Sequence, residues 1–130
     1  MPYTASVHLN ILGGLDGVRI ALAEQCRVVK VGGIVAFTTE VIINDAGSYH
    51  DGHLLLSTTR EIDSVSRSVP GLRLIEPIDF SVSDRTKHKV SSLADALADS
   101  HRGHTDYPHI VLEQDGRWFT SIAVFLERTS

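Results

Sequence analysis

The chain has 130 residues, 42% hydrophobic and 22% charged, with a formal net charge of -4, a length that suits one domain burying roughly two-thirds of the surface its extended chain exposes. No apolar run approaches the about 20 residues that cross a bilayer, so a membrane-spanning role is excluded. The acidic balance offers no broad cationic field to displace counterions from nucleic acid, which makes nucleic acid a poor partner.

Residues 4–9 (TASVHL) form a short apolar, β-branched run ending near Gly13-Gly14, which predicts a strand leading into a turn. From Leu15 to Val29 the apolar positions Leu15, Val18, Leu22, Cys26 and Val29 recur at three- and four-residue steps, one face of a helix. Asp16 is its expected cap, and Arg27 and Lys30 suit its C-terminal dipole. Gly32-Gly33 then supplies the positive φ values common at a helix exit. The run Ile34-Val35-Ala36-Phe37-Thr38-Thr39, followed by Val41-Ile42-Ile43, is apolar nearly throughout. That pattern predicts a strand covered on both faces, and so helices on a largely parallel sheet.

Residues 44–53 (NDAGSYHDGH) are polar and aperiodic, a loop at the C-terminal end of that strand, where open α/β sheets bind ligands. Thr58 and Glu61 have the spacing of a capping box, and Ile62, Val65 and Val69 mark the buried stripe of a second helix that Pro70-Gly71 ends. Leu72-Arg73-Leu74-Ile75 reads as a short strand stopped by Pro77. The segment 81–107 is polar, with one helical patch at Leu93, Ala94, Leu97 and Ala98, and reads as an insertion or loop within a single domain over 1–130. Finally, His109–Leu112 and Arg117–Leu126 flank Glu113-Gln114-Asp115-Gly116, and Asp-Gly favours a tight hairpin.

The stretch Glu24-Gln25-Cys26-Arg27-Val28-Val29-Lys30-Val31-Gly32-Gly33-Ile34-Val35-Ala36-Phe37-Thr38-Thr39 resembles the E-x-x-R-V-L-K-P-G-G-x-L-x-x-x-T signature of class I S-adenosylmethionine-dependent methyltransferases, with Val31 in place of the usual proline. The ending WFTSIAVFLER looks like that superfamily's last strand, which inserts antiparallel into a parallel sheet. The resemblance covers about residues 4–80 and 108–128. It implies an α/β fold holding part of a doubly wound, Rossmann-like sheet from the fourth strand onward, mostly parallel with an antiparallel C-terminal strand. It further implies S-adenosylmethionine as cofactor and a small-molecule or sugar-like acceptor.

By the same resemblance, cofactor contacts fall on Ser6, His8 and Asn10, although relatives place a polar pair where this chain has Asn10 and Ile11. The glycine-rich turn that holds the methionine moiety has no counterpart here: neither Gly13-Gly14 nor Gly32-Gly33 has the G-x-G-x-x-G spacing. The chain is therefore expected to be inactive alone.

For catalysis the candidates are His50 and His53, on the loop that would overhang an acceptor, and Glu40, at the end of the Thr38-Thr39 strand. Each has a plainer reading as a solvated loop or strand-end residue. His50-x-x-His53 and His101-x-x-His104 have acidic neighbours, yet zinc takes three or four ligands and its structural sites favour cysteine, of which the chain has one, so no metal site is assigned. Ser57, Thr58 and Ser121 lack a nucleophile elbow, and Trp118 and Phe119 suit a core or an interface.

Cys26 can form no internal disulfide, and Met1-Pro2-Tyr3-Thr4 lacks the marks of a secretion signal, so a cytoplasmic protein is expected. The alternative function is a noncatalytic α/β module that pairs with itself or with a partner chain completing its sheet, since a sheet cut beside one strand leaves an edge to cover.

Overall fold

The computed structural model describes residues 4–8, 14–51, 54–87, 90–101 and 110–130. Twelve elements follow in order: β1 (Thr4–His8), α1 (Gly14–Val28), β2 (Ile34–Ile42), β3 (Tyr49–His50), β4 (Leu55–Ser57), α2 (Thr59–Ser66), β5 (Leu72–Leu74), α3 (Asp84–Lys87), β6 (Val90–Ser92), α4 (Leu93–His101), β7 (Val111–Gln114) and β8 (Arg117–Arg128). The fold is α/β, built on one mixed sheet of eight strands.

β2 is its spine. One edge of β2 pairs along its whole length with antiparallel β8, from Ile34↔Glu127 to Ile42↔Phe119. The other edge is shared, with β1 parallel to residues 34–38 and β4 parallel at Glu40 and Val41. Beyond β8 lie β5 at one end and β7 at the other, both antiparallel to it, and β6 pairs parallel with β7. Three strand pairs are thus parallel and four antiparallel, counting the β3–β4 pair. The expectation of a mostly parallel, doubly wound sheet is corrected to a mixed one. The reason is local: two hairpins, β3–β4 and β7–β8, reverse the chain, and the twelve residues of β8 pair antiparallel with three other strands, β2, β5 and β7.

Both main helices pack on one face. Val18, Leu22 and Cys26 of α1 and Ile62 and Val65 of α2 meet Val35, Phe37 and Val41 of β2 and Val124 and Leu126 of β8. Leu22, Val35 and Leu126 are fully buried, and each buried leucine or valine contributes about 1.5–3 kcal/mol. On the opposite face, among the described residues, Ile42, Leu56 and Phe119 close the far end together with Leu93 at the start of α4. Along β8 that face then opens, with Ser121, Ala123 and Phe125 exposed.

Local chemistry explains the boundaries. Thr58 accepts the Glu61 backbone N–H at 3.2 Å and Glu61 accepts that of Thr58 at 3.0 Å, closing the capping box anticipated for α2. α1 starts at Gly14, so Asp16 sits in its first turn rather than at the cap. Of the two glycines after α1 only Gly32 has positive φ. Arg128 reaches back from the end of β8 to donate to the Arg27 and Val29 carbonyls, occupying acceptors that the end of a helix leaves bare. Asp115 (φ 51) and Gly116 (φ 78) make the predicted β7–β8 turn, with both central residues left-handed as a two-residue hairpin of this type requires. The segment 81–107 contributes α3, β6 and α4, so it widens the sheet by one strand.

Candidate functional site at the C-terminal edge of the sheet

β1 and β4 run parallel to β2, and each leads into a helix, so α1 and α2 both start at the C-terminal edge of the sheet. The segment 43–51 crosses that edge. A cavity of about 160 Å³ opens there, lined by Gly14 and Leu15 of α1, Ser48, Tyr49 and His50 of the crossing segment, Leu55 of β4 and Glu61 of α2. Gly14 has φ +78 and lies close under the imidazole: a Cβ there would stand 3.6 Å from His50 Nδ1. Only glycine takes that backbone angle without strain.

The crossing segment is held by the β7–β8 turn. Asn44 donates to the Gly116 carbonyl at 2.9 Å and accepts the Trp118 N–H at 3.2 Å. Arg117 donates through Nε to the Gly47 carbonyl at 2.7 Å, and its guanidinium carbon lies 5.2 Å from the centre of the Tyr49 ring, a cation–π distance. Tyr49 in turn donates its hydroxyl proton to Asp51 at 2.9 Å. That bond holds the Tyr49 hydroxyl above the ordinary phenol range; partial desolvation and the charges of Asp51 and Asp115 push the same way, against a smaller pull from Arg117. Asn44 within the segment, together with Arg117 and the turn on the far side of the sequence, thus fixes where His50 sits.

The residues singled out from sequence are only partly gathered. His50 pairs with Leu55, which belongs to the core under α1 and α2. Glu40 pairs with Leu56, which packs in the cluster on the opposite face. Because side chains alternate along a strand, His50 and Glu40 occupy opposite faces of the sheet and share no site. Glu40 also lies inside β2 rather than at a strand end, and it accepts the Ser121 hydroxyl at 2.9 Å. Ser6 and His8 are in register with Ala36 and Thr38 on β1. Asn10, Ile11, His53 and His104 lie outside the described residues. Among the described residues no cluster of three metal-ligating side chains exists.

Sequence reasoning missed Gly14, Tyr49 and Glu61 as cavity residues. Glu61 was legible only as a cap; its second role follows from the meeting of two helix starts. No described helix is long and apolar enough to cross a membrane. No family model, curated protein or solved structure matches the chain.

Proposed function

We propose that these residues form the C-terminal portion of an S-adenosylmethionine-dependent methyltransferase of class I, acting on a small-molecule or sugar-like acceptor. One observation supports this reading above others. β2 and β5 both run antiparallel to β8, so β1, β2 and β5 share a direction, with β8 inserted in reverse between β2 and β5 while α1 and α2 pack together on one face. A reversed last strand set among strands that share a direction agrees with what the resemblance at Glu24–Thr39 and at the C-terminal strand implies.

The edge cavity sets the limits of the chemistry. At about 160 Å³ it falls below the roughly 300–1,000 Å³ of most small-molecule sites, so the described residues do not fit a whole nucleoside cofactor. What the cavity fits is a small polar group of an acceptor, beside the His50 imidazole, a side chain of the kind that serves as a general base. On this reading the chain is inactive alone and works in the cytoplasm with whatever supplies the glycine-rich turn.

The test is a titration of the isotopically labelled chain with millimolar S-adenosylhomocysteine, followed by amide NMR. Weak, fast-exchanging shifts confined to the end of β1, Gly14 and His50 are expected, without methyl transfer. No shifts, or shifts only elsewhere, would leave the methyltransferase reading without its cofactor.

A second reading is a noncatalytic module that associates with itself or a partner chain. It is favoured by Phe125, which is 51% exposed on the open sheet face, and by β1, which pairs only with β2 among the described residues. Sedimentation that shows a folded monomer at every concentration would remove self-association.

A further inference from the structure

A second cavity lies in the groove between α1 and α2. It measures about 340 Å³ and is walled by Leu15, Asp16 and Arg19 from α1 and by Arg60, Glu61, Ser64, Val65 and Ser68 from α2 and its exit. Leu15 and Val65, both packed into the helix–sheet core, give it an apolar floor. Two guanidinium groups and two carboxylates line its rim.

Those four charges are unequally employed. Glu61 is committed to the Thr58 backbone N–H through the capping box. Asp16 approaches Arg19 only at 3.7 Å, with the two side chains 88% and 53% exposed. Arg60 has neither a carboxylate partner nor a side-chain hydrogen bond among the described residues. Moreover Arg60 is the second residue of α2, where the positive end of the helix dipole disfavours a cation and an acidic residue is the stabilising choice. The local rule is broken with no compensating contact among the described residues, and such violations concentrate at functional positions.

We propose that this groove is a binding site for a small amphiphilic carboxylate, a monoanion with an apolar aryl or alkyl body. The carboxylate is held by Arg60, with Arg19 and the Ser64 hydroxyl on the neighbouring walls, and the body lies on Leu15 and Val65. A guanidinium takes a carboxylate through two parallel N–H bonds, and an anion beside Arg60 removes its conflict with the dipole. A single negative charge is specified because, of the four charges on the rim, Arg60 alone is left over among the described residues: Asp16 stands against Arg19 and Glu61 holds the Thr58 N–H, so one cation is available for a monoanion and none for the second charge of a dianion such as a phosphate monoester. The groove adjoins the edge cavity, sharing Leu15 and Glu61 with it, but it needs neither His50 nor a nucleoside cofactor.

The experiment is amide NMR titration of the whole chain with phenylbutyrate, against phenylbutanol and phenylbutylamine as neutral and cationic counterparts. Saturable shifts at Leu15, Ser64 and Val65 are expected, with phenylbutyrate binding about tenfold more tightly than the alcohol. The Arg60→Gln chain should fold as well as the parent, since glutamine relieves the dipole conflict, and should bind acid and alcohol alike. His50→Ala should leave phenylbutyrate binding intact, which separates this site from the edge cavity and its methyltransferase reading. Equal affinity for acid and alcohol in the parent, unchanged discrimination in Arg60→Gln, or shifts confined to other surfaces would each overturn the proposal.

Discussion

Phe119 and Phe125 lie on the same strand and, six residues apart, on the same face of the sheet, yet they should respond to truncation in opposite ways. Phe119 is 2% exposed among Ile42 and Leu56, with Leu93 and Leu112 beside it. Phe119→Ala removes a full side-chain burial and leaves a cavity between the sheet and α4, a loss of about 3–5 kcal/mol. Phe125 is 51% exposed, so about half of the transfer contribution is at stake and no enclosed void forms; about 1 kcal/mol is expected. Urea unfolding followed by circular dichroism would measure both, with the slope unchanged if only stability moves. The reasoning fails if Phe125→Ala costs as much as Phe119→Ala. If that cost also grew with protein concentration, the open face would be buried in an assembly, and the self-associating reading would gain the observation it needs.

Other outcomes follow from single contacts. Thr58→Ala should lose about 1 kcal/mol by removing the acceptor of the Glu61 N–H; in a cycle with Glu61→Ala the double variant should lose less than the sum, because the two bonds form one box. Gly14→Ala should cost about 1 kcal/mol in the same assay through its φ of +78 rather than through a clash, since its Cβ would meet only His50 at ordinary contact distance. Ultraviolet titration should find Tyr49 ionising above the ordinary tyrosine range because its proton is held by Asp51. The folded pKa exceeds the unfolded one, so this contribution is present below about pH 10 and disappears as pH rises through the folded value; Asp51→Asn should bring the titration back down, and no change on that substitution would sink the assignment.

The long periodic elements were legible because their patterns arise from burial against one surface. Leu15, Val18, Leu22 and Cys26 named the inner face of α1, and the unbroken run from Ile34 named the central strand. The Thr58–Glu61 box and the Asp115-Gly116 turn were legible because each is a short chemical motif that acts within three residues. The two-residue strand β3 and three-residue β4 were not, since strands so short exist only because β2 extends past β1 and offers its edge at Glu40 and Val41. The same nonlocality hid the candidate sites. Nothing in the sequence tells that Glu40 and His50 fall on opposite faces; it takes the pairing of Leu55 and Leu56 to decide it.

The direction of β8 and its hairpin with β7 were anticipated, its pairings with β2 and β5 were not, and that difference bears on function. An antiparallel last strand is one step of chain reversal, which Asp115-Gly116 supplies locally. Its contacts with β5 at Leu72–Leu74 and with β2 over nine residues require the intervening helices to have brought three separate stretches into order first. Any unrelated α/β fold can end in a hairpin; inserting that strand between two others that run the same way is a much narrower condition. The methyltransferase reading therefore rests on β2, β8 and β5 together, and a substitution that frees β5 from β8, such as Leu74→Pro, tests the arrangement more sharply than any change in the hairpin turn: it should detach the 72–79 segment while leaving β2 and β8 paired, so that in hydrogen exchange the Ile75 amide, which donates to the Phe125 carbonyl, loses protection while the Arg128 amide, which donates to the Gly33 carbonyl, keeps it.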